Sequence, residues 1–179
     1  DSRSVRVEGS IWQTGPYTVK LEGARIAGYQ SVSMAMLRER RFVENARVWA
    51  DDIVAKCTAK VIEQMALGAD AFQIDLRLIG LDAVLGAMEP RISAPHEIGV
   101  MAVVTAPSPE LAQDINKMLN PFLLHHPLSE DEPMPTFAFP FSPPELPRGA
   151  VFEFCLHHVL LLEDPMSVFR LETRELAYG

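Results

Sequence analysis

Apolar residues along this chain alternate with polar ones near both ends and recur at three- and four-residue spacing in between. Near the start, Val5 and Val7 alternate with Arg6 and Glu8, which predicts a short strand ended by Gly9-Ser10. Gly15-Pro16 marks a turn. From there Tyr17, Val19 and Leu21 share one face, and Ile26 and Tyr29 lead into Val32, Met34 and Met36. This pattern fits a long or bent strand, or a hairpin folded at Glu22-Gly23. Gly23 and Gly28 are its natural bend points.

The strongest helical signal runs from Arg41 to Leu67. Phe42, Ala46, Trp49, Ile53, Cys57, Val61 and Met65 form one buried stripe, with Glu44, Arg47, Asp51, Asp52, Lys56 and Lys60 mainly off it. Gly68 stands where a helix C-cap is expected. Phe72, Ile74, Leu76 and Leu78 then alternate with Gln73, Asp75 and Arg77, giving a half-buried strand. Residues 80–97 read as a loop with a helical turn at Leu81–Leu85, interrupted by Pro90 and Pro95. Ile98–Thr105 is apolar almost throughout and reads as a central strand. Ser108-Pro109-Glu110 starts a second helix, with a capping hydroxyl, a proline that needs no amide bond, and an acid at the positive end. Leu111, Ile115, Met118 and Phe122 are its expected buried stripe, and Pro121 is expected to end it near Leu119.

Seven prolines fall between residues 127 and 149, which rules out regular helix or central strand there. Phe137, Phe139 and Phe141 alternate within this stretch, so 127–150 reads as an ordered arm lying on a surface. A last strand is expected over Val151–Leu162. Asp164-Pro165 opens a turn around Val168-Phe169, and Leu171 to Leu176 ends the chain. The core order is strand, helix, strand, strand, helix, strand. That order predicts an α+β domain with a ferredoxin-like βαββαβ core, to which an extra N-terminal strand and the proline-rich arm are added.

The chain has 179 residues, below a rough upper size of about 250 for one core, so 1–179 reads as one domain. At 48% hydrophobic and 22% charged, it has the composition of a globular domain with a sizeable core. Even the apolar run Val159–Leu162 is too short to span a bilayer. No positively charged leader precedes an apolar segment, and the first residue is Asp1, which fits a fragment of a longer protein. Acidic residues outnumber basic ones 24 to 16, for a net charge of −8, which argues against a nucleic-acid partner. The dense basic cluster Arg38-Glu39-Arg40-Arg41 reads as a solvated helix start. Cys57 and Cys155 are far apart in sequence, and both read as small core residues in a reducing, cytoplasmic compartment.

No phosphate-cradling or hydrolase motif occurs, so candidate chemistry rests on histidines. His125-His126 follow the second helix and point about 100° apart, which suits a polar helix end near the negative dipole. His157-His158 lie in the last strand and face opposite sides. By alternation His158 sits with Phe152, Phe154, Leu156 and Leu160 on the core side, and His157 with Glu153 and Cys155. His157, Glu153 and His125 are therefore the catalytic candidates. No metal or other cofactor is implied, since nothing in the spacing demands one. Asp75 and Arg77, with His96 and Glu97, could assemble an acid–base pair, and solvated strand polars explain them equally well.

Two stretches carry a resemblance. One is Tyr17–Ala24 followed by Gly28–Val32. The other runs from Phe137-Ala138-Phe139-Pro140-Phe141-Ser142-Pro143 through Gly149, Phe152-Glu153-Phe154, His157-His158-Val159 and Asp164-Pro165 to Phe169-Arg170. Together they resemble the C-terminal region of the acyclic terpene utilisation (AtuA-like) family. The resemblance implies a C-terminal domain whose catalytic half lies in an absent N-terminal domain. It also implies a place in bacterial breakdown of citronellol and geraniol through branched acyl-CoA intermediates. The expected role is to help form an interdomain substrate site, with the arm and the His157 face at the boundary. The alternative is a non-catalytic oligomerisation or interaction domain, with Phe137–Phe141 docking on a neighbouring subunit. A homo-oligomer is expected, and neither a nucleic acid nor a membrane.

Overall fold

A computed structural model describes residues 4–90 and 95–174. Among them, four strands and three helices run in the order β1 (Thr18–Leu37), α1 (Arg40–Glu44), α2 (Ala46–Met65), β2 (Gln73–Ile79), β3 (Ile98–Ala106), α3 (Pro109–His125) and β4 (Leu146–Leu161), with a 3-10 turn at Gly86–Met88. The fold class is α+β. The strands form one sheet in the order β2-β3-β1-β4. β3 runs antiparallel to both its neighbours, with Val32 opposite Val103 and Met34 opposite Met101 on one side, and Leu76 opposite Ala102 on the other.

The chain divides into two compact units, Ile26–Glu153 and the pair Asp1–Arg25 with Phe154–Gly179. The core belongs to the first. Period-two alternation puts Ala35 and Leu37 of β1, Ile74, Leu76 and Leu78 of β2, and Ile98, Val100, Ala102 and Val104 of β3 in it. Helices α2 and α3 supply Trp49, Ile53, Cys57, Val61, Ile115, Leu119 and Leu123. Behind this layer the sheet's other face stays half-covered, with Val32, Met34 and Met101 partly exposed.

Several expectations change in the structure. Residues 4–17 form no strand, and Val5 and Val7 are 90% and 78% exposed, so the extra N-terminal strand is replaced by a β1 of 20 residues. Gly28 permits that length. A Cβ there would lie 3.0 Å from Thr105 Cγ2 and 3.1 Å from the Ala106 carbonyl. The expected first helix is two, because Asn45 leaves helical geometry at φ −113°, ψ 17°. Its C-cap is Ala66 in the left-handed region (φ 53°), not Gly68. Helix α3 passes through Pro121 and ends at His125. Proline removes one helical bond there, but buried Leu119 and Leu123 flank it and hold the last turns in place. The buried face of α3 is Ala112, Ile115, Asn116, Leu119 and Leu123, with Leu111, Met118 and Phe122 half-buried beside it. β4 begins at Leu146, inside the stretch assigned to the arm. The expected end at Leu171–Leu176 lies partly outside the described residues, as does part of the 80–97 loop.

The arm does lie ordered on a surface, and the surface is its own domain. The Phe137 ring stands edge-on to Phe42 at 4.8 Å and to Trp49 at 5.6 Å between centroids. The Phe137 amide donates to the Leu124 carbonyl, and the Met36 amide to the Ala138 carbonyl, both at 3.0 Å. Phe139 is half-buried against the same core.

Candidate functional site

Three sets of side chains are candidates: the histidines ending α3, the polar groups along β2 and its loops, and the strand pair in the second unit.

The α3 histidines are tied inward. The His126 ring Nε2 lies 2.7 Å from Asp52 Oδ2 on α2, and Trp49 Nε1 donates to the His126 carbonyl at 2.8 Å. The Lys56 ammonium meets the same carboxylate oxygen at 2.9 Å. These partners, Lys56 first and then His126, hold the Asp52 carboxyl below the usual range. His126 is 7% exposed. His125 Nδ1 lies 2.9 Å from the Pro135 carbonyl, so it fastens the arm. Beside them a hollow of about 300 Å³ is lined by Lys60, Phe122, His125, His126 and Met134, with the Lys60 ammonium 5.6 Å from the Phe122 ring centroid. An Asp–His pair can in general hold an imidazole as a base. Here the ring is buried and its bonds staple α3 to α2. Sequence reading treated His126 as a helix-end residue. Asp52 at the helical register facing it is the signal that spacing alone does not reveal.

The other polar groups are also engaged. Arg77 Nε donates to Asp75 at 2.9 Å. Arg47 grips Asp82 with two guanidinium nitrogens. Arg38 lies 3.8 Å from Glu97. In the basic cluster, Arg40 pairs with Glu44 at 2.6 Å, Arg41 pairs with Glu132, and the Glu39 side chain caps α1. His96 borders a hollow of about 350 Å³ with Arg38, Arg40 and Glu44. Among the described residues, no group of three or more His, Cys, Asp and Glu side chains is placed to hold a metal ion.

The second unit pairs the first part of β1 with the last part of β4. The Leu162 amide donates to the Tyr17 carbonyl at 2.9 Å, and a Cβ on Gly23 would meet Leu156 Cβ at 3.2 Å. Numbers rise on one strand as they fall on the other, so the ribbon is antiparallel. His157 is exposed here, with its Nε2 3.6 Å from Glu22, and Glu153, the last residue of the first unit, is exposed too. His158 has no core side to face, because almost all of β4 is exposed. Cys155 is likewise exposed, where a core position was expected, while Cys57 is fully buried. Large apolar side chains crowd the ribbon: Tyr17, Leu21, Phe154, Leu156, Val159 and Leu161 are between 40% and 76% exposed. Sequence alternation marked β4 as a strand with a core face. It carried no signal that this face would stand exposed among the described residues.

Comparison with known proteins finds no matching family model, no curated relative and no similar solved structure. No helix among the described residues is long and apolar enough to cross a membrane.

Proposed function

We propose that this chain is an assembly domain, the C-terminal part of an AtuA-like catabolic protein, and that its β1–β4 ribbon is the docking element. The observation that carries this reading is the ribbon's exposed apolar surface. Tyr17, Leu21, Phe154 and Leu156 stand exposed on one face of it by strand alternation; exposed apolar clusters mark interaction surfaces, and a two-stranded ribbon is marginal without something packed on it. The ferredoxin-like part of the reading is supported by the βαββαβ element order together with the β2-β3-β1-β4 sheet. The polar candidates support an assembly role over a catalytic one, since His125, His126 and Asp52 are engaged in joining α2, α3 and the arm. In this reading the substrate site of citronellol and geraniol breakdown, and its acyl-CoA chemistry, belong to the remainder of the polypeptide. This domain holds that remainder in place in the cytoplasm.

The test is made in the longer protein. Phe154→Lys with Leu156→Lys should leave the domain folded by circular dichroism. It should abolish assembly, read by light scattering, and weaken acyl-CoA or terpenoid binding, read by calorimetry. Full retention of both overturns the reading.

A further inference from the structure

We propose that the hollow where α2, α3 and the arm meet binds a small aromatic carboxylate, with the Lys60 ammonium on its carboxylate group. Every residue lining this site lies in the Ile26–Glu153 unit, and none belongs to the ribbon on which the assembly reading rests.

Lys60 supplies the charge. Of the lysines in the chain, Lys20, Lys56 and Lys117 each meet a carboxylate, at 2.6, 2.9 and 3.1 Å. Lys60, the remaining one, has no carboxylate partner among the described residues. Its side chain is half-buried on the hollow, with the ammonium 5.6 Å from the Phe122 ring centroid. An aromatic face attracts an ammonium without neutralising it, so the positive charge remains available there. Asp52 does not cancel it, because that carboxylate is taken by Lys56 and His126. The net charge of −8 repels anions at long range, but salt screens it beyond about 10 Å, so at contact the local ammonium prevails.

The rest of the lining selects what the anion is attached to. Pro121, Phe122 and Met134 give the hollow apolar surface. A mostly apolar lining with one convergent charge suits an organic ion over an inorganic one. Phenylalanine rings and thioethers both favour an aromatic body, by offset stacking and by sulfur contact. Size sets the limit. At about 30 Å³ for each water-sized group, a hollow of about 300 Å³ takes about ten non-hydrogen atoms, which is one ring with its carboxylate. Two of the walls are already fixed. His126 is 7% exposed and held by Asp52, and His125 is held through Nδ1 at the Pro135 carbonyl. Ordering them therefore costs a ligand little.

Benzoate is the probe. An amide NMR titration of the protein should saturate with a Kd of about 1 mM or tighter, with the shifts centred on Lys60, Phe122 and His125. Cyclohexanecarboxylate lacks the aromatic face, benzyl alcohol the charge, and inorganic phosphate the apolar body. Each should bind about tenfold more weakly or worse. Lys60→Met should weaken benzoate binding about tenfold with an unchanged circular dichroism spectrum, whereas Lys117→Met should leave it as it was. The wild-type shifts locate the site without any variant. No saturation by about 10 mM benzoate, shifts centred elsewhere, or equal binding of any of the three other compounds overturns the inference. So does full binding by folded Lys60→Met, or an equal loss through Lys117→Met.

Discussion

Asn116 shows how one side chain fixes a packing arrangement. It is fully buried on α3, accepts from Ser33 Oγ at 2.8 Å, and donates to Ser31 Oγ at 2.9 Å. Both serines point from β1 into the core, where an unpaired hydroxyl is costly. Asn116→Ala should therefore destabilise the protein by about 2 kcal/mol in urea titration. Ser31→Ala combined with it should add less than its separate effect. The cysteines make a second contrast. Burial pushes the Cys57 thiol up to about 11, whereas Cys155 is exposed. A thiol reagent should modify Cys155 promptly and Cys57 only on unfolding. Because the folded value is raised, Cys57's contribution to stability is intact below the ordinary thiol range. It is lost as pH rises from that range towards 11, which chemical denaturation at stepped pH would record.

Elements are joined here by short polar staples laid over aromatic packing. The arm is held by the Phe137 ring between Phe42 and Trp49 and by two backbone bonds. Phe137→Ala should cost about 2 kcal/mol, since the ring is half-buried, and should open residues 128–145 to limited proteolysis. The α2–α3 join depends on Asp52 between Lys56 and His126. Asp52→Asn should cost about 1 kcal/mol at neutral pH, discounted because the carboxylate is half-exposed. The Asp52 carboxyl is held low, so its contribution is present above the ordinary carboxylate range and lost as pH falls through the lowered value. The stability difference between wild type and Asp52→Asn should therefore shrink in acid, as measured by denaturation from pH 7 downwards.

At the scale of the molecule, core and ribbon differ in kind. Buried side chains from three strands and all three helices fill the Ile26–Glu153 unit, whereas almost every residue of β4 is exposed. Charged residues on the ribbon should then cost little in stability. Phe154→Lys should keep the unfolding free energy within about 0.5 kcal/mol of wild type while raising solubility. A large loss of stability would mean that the ring packs in the monomer core.

Element types were legible in the sequence wherever periodicity was strong. Ile98–Ala106 as a strand, the α2 stripe and the Ser108-Pro109 start of α3 all follow from local spacing and capping chemistry, which the backbone obeys without help from distant residues. The continuation of α3 through Pro121 was not legible, because burial of Leu119 and Leu123 outweighs the local penalty. Nor was the His126–Asp52 pair, which joins residues 74 apart in sequence. The largest misreading concerns β4. Alternation determined by itself that Phe154, Leu156 and Leu160 would share one side of a strand. Only the tertiary structure decided that the side is left uncovered. Periodicity specifies which residues turn the same way, while burial depends on which other elements arrive to cover them.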